Sequence, residues 1–242
     1  MRLTDHQPLV EAIAAKLPVL LCYFWEPSQI AASVADPRHW QFVQQSLSDM
    51  QTRLAEKGLK LYIFHGEVLS ILDQLRAHVT IHSIFSHLEV GVASTFKRDL
   101  AVKRFCRNYG IQYKESAHDG IIRGLTHRQN WESQLDNFFK SPLANPNLEA
   151  LLPLQLSITL INPQNIPSTF FNSQNKTFQQ GGERVGWQYF TSFIHKRARY
   201  YVNHISQPEA SRSSTSRISP YLAYGNVSAR QLFQYAALQN RK

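Results

Sequence analysis

Cysteine is nearly absent: the 242 residues hold only Cys22 and Cys106. Two lone thiols far apart in sequence cannot build the framework that stabilises small secreted domains. Cys22 sits in an apolar run and is expected to be a buried, free thiol, as in a reducing cytosol. Long apolar runs are lacking too. The longest candidate, Leu17 to Trp25, is strand-sized and falls well short of the roughly 20 residues a membrane span needs. The chain opens without a charged segment leading into a short apolar core, so no secretory signal is expected and the expected location is cytoplasmic. No Gly-x-Gly-x-x-Gly, Walker-type loop or Gly-x-Ser-x-Gly elbow occurs, which removes the commonest phosphate-loop and hydrolase signatures. The histidines show no metal-ligand spacing; His78 and His82, four apart, read as flanking a strand start.

Acid is the other shortage. Lys and Arg number 26 against 17 Asp and Glu, a net charge of +9. Residues 181–242 hold nine Lys/Arg against two acids, whereas residues 1–180 are almost balanced at 17 against 15. A positive field concentrated in one segment suits a polyanion, either a dinucleotide or a nucleic-acid backbone; a merely soluble basic surface has the same composition. Hydrophobic content of 43% and charged content of 18% describe an ordinary globular chain, long enough for one large domain or two small ones.

From Met1 to about Asn137, strand-like and helix-like segments alternate, the pattern of a parallel α/β sheet. Residues 7–16 read as a short helix. Pro18 to Trp25 is a continuous apolar run, as expected of a strand buried on both faces. Arg38 to Lys57 is expected to be helical, with Trp40, Val43, Leu47, Met50 and Leu54 at three- and four-residue steps and Gly58 as its stop. Strands are then expected at Leu59–His65, Ile81–Phe85 and Ile111–Lys114, separated by helices after Gly66 and from about Ser94 to Tyr109. Gly120 to Leu125, with Asn130-Trp131, leads out of the sheet towards a further helix.

From Ser141 to Gln180 the composition changes. Pro142, Pro146, Pro153, Pro163 and Pro167 are scattered among Asn, Ser, Thr and Gln, and only Leu151 to Leu160 is apolar. That describes a linker crossing a surface, so a domain boundary is expected here. Beyond Gly181 the chain turns helical. Val185, Tyr189, Phe190 and Phe193 share a face, and Trp187 is expected to pack. Lys196, Arg197 and Arg199 fall where cations complement a helix dipole, and Ala229 to Asn240 reads as a last helix.

The densest chemistry is Ser213-Ser214-Thr215-Ser216-Arg217-Ile218-Ser219-Pro220-Tyr221-Leu222-Ala223-Tyr224-Gly225. Small hydroxyls and backbone N–H groups can surround a phosphate closely, and arginine offers a planar fork of donors to its oxygens. Composition alone also suits a solvated loop capping the helix that Ser228 opens.

Taken with Gly181-Gly182-Glu183 and Tyr201, seven residues before Pro208, and with Gly225 and Ser228, this stretch resembles the flavin-domain entrance of the photolyase/cryptochrome family, over more than forty residues with its spacing kept. The resemblance implies a Rossmann-like antenna domain over residues 1–140, an interdomain linker over 141–180, and over 181–242 the start of an all-α FAD-binding domain. It implies that Tyr201, Thr215, Ser216, Arg217, Ile218 (by its backbone) and Ser219 hold the FAD phosphates. It also implies an antenna chromophore, folate or deazaflavin, of open identity, with Glu89 in Ser86–Gly91 the one acid in reach.

Asp5 and His6 resemble residues that orient the family's first helix. Arg2 to Leu9 is similar to the turn after the family's first, central strand; that strand is expected to be missing, with Met1 an internal methionine read as a start. The activity implied is deoxyribodipyrimidine photo-lyase, the light-driven splitting of cyclobutane pyrimidine dimers in UV-damaged DNA, with a monomer expected at full length. Arg230 is expected as a DNA-phosphate contact unless it merely faces solvent. The adenine, isoalloxazine and lesion contacts fall beyond Lys242 in the family pattern. The 242 residues alone are therefore expected to bind FAD weakly or not at all and to repair nothing. A cryptochrome-type photoreceptor and a non-catalytic nucleic-acid-binding remnant remain as alternatives.

Overall fold

In the computed structural model, residues 1–33, 35–156 and 178–239 are described. The apolar stretch beyond Leu156, Pro163, Pro167, Asn240 and the Arg241-Lys242 pair lie outside them. The α/β pattern is present in the expected order. Helix α1 (Gln7–Ala14) is opened by His6, whose Nδ1 accepts the Leu9 N–H at 3.1 Å, with Pro8 in its first turn, where a missing N–H costs nothing. Strand β1 (Leu21–Trp25) runs into a single turn, α2 (Pro27–Ile30). Helix α3 (Pro37–Ala55) is capped by Asp36, which accepts the Arg38 N–H at 2.9 Å. There follow β2 (Leu61–His65), α4 (Val68–Arg76), β3 (Ser83–His87), α5 (Ala93–Asn108), β4 (Gln112–Ser116) and α6 (Trp131–Lys140). Strand β3 starts two residues later than its apolar run, because pairing with β4 begins at Ser83 opposite Gln112.

The sheet is divided. Strand β1 pairs in parallel with β2, Leu21 opposite Leu61, and β3 pairs in parallel with β4; among the described residues nothing joins the two pairs. The division corrects the expectation that β1 is buried on both faces: Trp25 is buried, but Cys22 is solvent-exposed. One edge of β1 has no neighbouring strand among the described residues to cover it. Protein still crowds that thiol on its other sides, and this desolvation pushes its pKa up to about 12. Cys106, on α5, is buried.

The main core lies where Val43, Leu47 and Leu54 of α3 meet Leu9, Trp25 and Leu61. The neighbouring face of α3 carries the helical part: α7 (Glu183–Ser192), a π turn (Phe193–Arg197), a 3-10 turn (Ala198–Tyr200), α8 (Tyr201–His204), α9 (Pro208–Ser214), α10 (Ser219–Ala223) and α11 (Ala229–Gln239). Phe42 of α3 inserts among Phe190, Tyr221, Val227 and Leu232, so one helix serves both cores. Trp187 packs edge-on against Phe190 and Tyr235, as a core residue should.

The approach is close. A Cβ on Gly181 would lie 2.0 Å from the Phe42 carbonyl oxygen, so only glycine fits there. Buried Glu183 accepts the Leu3 N–H at 2.9 Å, the Thr4 hydroxyl and the Arg53 guanidinium, joining the chain's first residues, α3 and α7. The chain after α6 lies along the α/β part: Ala144 O accepts the His6 N–H at 2.7 Å, and Val19 bridges to the 152–154 segment.

Candidate functional site

The expected clamp lies in the loop between α9 and α10. Thr215 closes α9, its amide and hydroxyl both donating to Ser211 O, at 2.9 and 2.8 Å. Arg217 then adopts a left-handed backbone, φ 55°, which costs a non-glycine residue about 1–2 kcal/mol. Gln179 holds it there: its Nε2 donates to Arg217 O at 2.7 Å, and its Oε1 accepts Arg217 Nε at 3.2 Å. Tyr221, wholly buried, donates its hydroxyl to Gln180 O at 2.7 Å and fixes the same strip from the other side. Between this loop and α7 opens a cleft of about 520 Å³ lined by Gln179, Tyr189, Ser192, Arg197, Arg212 and Arg217, among others.

The expected residues differ in what they still have to offer. Ser216 and Ser219 spend no hydroxyl hydrogen bond on any described residue, and the N–H groups of Ser216, Arg217, Ile218 and Ser219 find no acceptor there. Tyr201 is 37% exposed, edge-on to Phe193 at 6.0 Å, with its hydroxyl equally unspent. No hydrogen bond or ring contact joins Tyr201 to the loop among the described residues. The Thr215 hydroxyl has already given its proton to Ser211 O, so in this conformation it can only accept.

Three residues escaped the sequence reading. Arg197, assigned there to a helix dipole, turns into the cleft and donates to the carbonyls of Thr215, Ser216 and Tyr189. A π turn spans Phe193–Arg197, and it changes which side chains share a face, so helical periodicity could not have placed this guanidinium. Arg212 and Gln179 are brought in by α9 and by the strip before Gly181, for which no spacing rule exists.

Arg230 is corrected. It is not a free cation on a solvent-facing helix: its side chain is 12% exposed and ion-paired with Asp5, itself 2% exposed, while Nη1 donates to Ser141 Oγ at 2.7 Å. Asp5 also accepts the Ser228 hydroxyl at 2.5 Å and the Ala144 N–H at 2.9 Å. Burial alone would raise its pKa, but these hydrogen bonds outweigh burial and hold it below the usual carboxylate value. Asp5 and His6 thus do orient the first helix and tie it to α11.

Near the ends of the β3–β4 pair, His87 meets the rings of His6 and His118 at 4.6 and 5.2 Å, and both its nitrogens are buried without a partner. Burial, with the Arg2 guanidinium adding to it, pushes His6 down to about 3; burial beside His6 pushes His87 down to about 2. Glu89 accepts the Gly91 N–H and faces Arg98. Among the described residues no group of His, Cys, Asp or Glu could hold a metal ion, and no helix is long and apolar enough to cross a membrane.

The loop's chemistry fits the phosphates of a dinucleotide: its Ser216 and Ser219 hydroxyls and its 216–219 amide N–H groups are unspent, and beside it lies a cleft lined by three arginines and, among the described residues, no carboxylate. The chain thus joins a Rossmann-like α/β unit to a helical unit. The DNA photolyase family model matches residues 1–139, more than half of the sequence, and the chain belongs to that family.

A cryptochrome DASH of Synechocystis sp. is 22% identical over 264 residues, 97% of this chain and 52% of the relative. A chloroplastic/mitochondrial cryptochrome DASH of Oryza sativa is 30% identical over 114 residues, 44% of this chain. The chain spans about half the length of the curated relatives that it matches nearly end to end. In structure, the Synechocystis cryptochrome superposes with a TM-score of 0.79 at 22% identity, over 100% of this chain and 54% of its own. A class III photolyase of Agrobacterium tumefaciens gives 0.76 at 17%, over 97% and 50%. A Sulfolobus tokodaii photolyase with two FAD molecules gives 0.69 at 21%, over 97% and 52%.

Proposed function

We propose that this chain carries the flavin-phosphate clamp of a photolyase-type protein that splits cyclobutane pyrimidine dimers in UV-damaged DNA. The division we propose is an antenna domain over 1–140, a linker over 141–180 and the first part of the FAD-binding domain over 181–242. The observation that carries the reading is the set of unspent donors at Ser216, Ile218 and Ser219, on a loop whose Arg217 lines a cleft with Arg197 and Arg212 as the other charged lining among the described residues. FAD, when bound, reduced and excited by light, supplies the electron that opens the dimer. The chain's own residues hold and orient the phosphates. Ser216 and Ser219 donate hydroxyls, the 216–219 amides donate N–H groups, and the arginines neutralise charge.

Dimer repair is proposed for the whole protein, together with an antenna chromophore of the folate or deazaflavin kind and a cytoplasmic, monomeric state. A cryptochrome-type photoreceptor is the second reading, favoured by the names of the sequence relatives.

The test is an NMR titration of the chain with FAD, inorganic pyrophosphate and riboflavin. Weak binding of the first two, with shifts at the 216–219 amides, is expected. Ser216→Ala and Ser219→Ala each weaken FAD by about tenfold. No response of those amides to FAD or pyrophosphate refutes the clamp.

A further inference from the structure

We infer that Arg197 is a positioning residue of the phosphate clamp: it turns the carbonyls of Thr215 and Ser216 towards itself and so aims the amides that follow at the anion. This rests on reading the loop as that clamp. The guanidinium donates through Nε to Ser192 Oγ at 3.1 Å, through Nη1 to Thr215 O, and through Nη2 to Tyr189 O at 2.6 Å and Ser216 O at 3.4 Å. Every one of these acceptors is neutral.

Two consequences follow. A peptide group is planar and trans, so its C=O and N–H point in opposite directions. Holding the carbonyls of Thr215 and Ser216 therefore directs the N–H groups of Ser216 and Arg217 away from Arg197, and both are unspent among the described residues. The second consequence is electrostatic. Arg197 is only partly buried, and no carboxylate reaches it within 4 Å among the described residues; Arg212 and Arg217 share its cleft, and no acid lines that cleft among those residues either. Burial and the Arg217 charge both lower the Arg197 pKa, the direction expected of a cation left without its counter-ion.

The arrangement also accounts for the π turn, since such insertions place side chains where regular helix cannot and are frequent at functional sites. Arg197 lies at its last residue.

The test compares wild type with Arg197→Ala, Arg197→Lys and Arg197→Gln, each checked for folding by circular dichroism. The probes are FAD, inorganic pyrophosphate and riboflavin, which has no phosphate. For Arg197→Ala, FAD and pyrophosphate affinities are expected to fall about 10- to 100-fold while any riboflavin affinity stays put. Arg197→Lys keeps the charge but loses the fork, and falls between. In the ligand-free chain the amide nitrogen shifts of Ser216 and Arg217 move in Arg197→Ala and Arg197→Gln. If wild type binds FAD and the variants bind it equally, or if those free-state amides do not move, the inference fails while the clamp reading stands. If wild type binds neither FAD nor pyrophosphate, both fail together.

Discussion

Asp5→Asn isolates the contact that ties the start of the chain to its last described helix. Asp5 is 2% exposed and accepts from Arg230, the Ser228 hydroxyl and the Ala144 N–H. The substitution removes the charge and leaves Arg230, 12% exposed, without its partner. Breaking a buried pair from one side costs about 3–5 kcal/mol, because the other charge stays buried and uncompensated. At about 2–4 °C per kcal/mol for a chain of this size, the melting temperature falls by about 10 °C.

The pH dependence gives the sign. The pKa of Asp5 is held below its unfolded value, so its contribution is fully present above the unfolded pKa, about 3.9, and is lost as pH falls through the folded one. The gap between wild type and variant in thermal melts should therefore be flat from pH 8 to 5 and close only below about pH 4. Melting within 2 °C of wild type at pH 7 would refute the argument. Arg230→Gln makes the same point from the other side: it lowers the melting temperature and leaves the salt slope of DNA binding unchanged, whereas a phosphate contact would reduce that slope by about one.

Two further outcomes are expected. His6 and His87 stay neutral in the folded chain, with pKa values of about 3 and about 2, both below the unfolded value near 6.5. Their contribution is present above pH 6.5 and is lost as pH falls, by about 1.4 kcal/mol per unit and per ring. Denaturant midpoints measured from pH 7.5 to 5 should fall more steeply in wild type than in His87→Gln, and equal slopes would sink the idea. Gly181→Ala forces a Cβ to within 2.0 Å of Phe42 O and 2.5 Å of Ser46 Oγ. It should loosen the helical part from α3 at a cost on the order of 1–3 kcal/mol. Faster proteolysis around residues 178–182 would report that loosening; an unchanged digestion rate counts against it.

What the sequence made legible was whatever is encoded by spacing. Apolar steps such as Val43, Leu47 and Leu54 placed α3 to within two residues at each end, and the hydroxyl run marked the loop that follows α9. What it hid depends on where chain segments meet. Cys22 lies in an apolar run and so read as buried, but burial of a strand depends on a neighbour at each edge, and the local sequence cannot report an edge that is uncovered. Arg230 read as a DNA-phosphate contact or a solvent-facing cation because its partner is Asp5, more than two hundred positions away. Glu183 was visible as part of a motif, yet its task, accepting from Leu3, Thr4 and Arg53, emerges only from docking.

The charge asymmetry shows how the two levels combine. Nine cations against two acids in residues 181–242 pointed to a polyanion without saying where. Two of the nine are spent on carboxylates of the α/β part, Arg184 on Asp49 and Arg230 on Asp5. That leaves the excess unevenly placed. Arg197, Arg212 and Arg217 converge on one cleft with no acid in its lining among the described residues. Lys196 and Arg199, on the turns that lead into Tyr201, make no salt bridge among the described residues. The Arg217 charge acts against the partly buried Arg197 guanidinium in the unliganded chain, and an anion offsets that repulsion as it binds. Part of the anion's affinity is therefore stored as repulsion in the free protein. Raising ionic strength should screen that repulsion, stabilising the free helical part while weakening its hold on pyrophosphate.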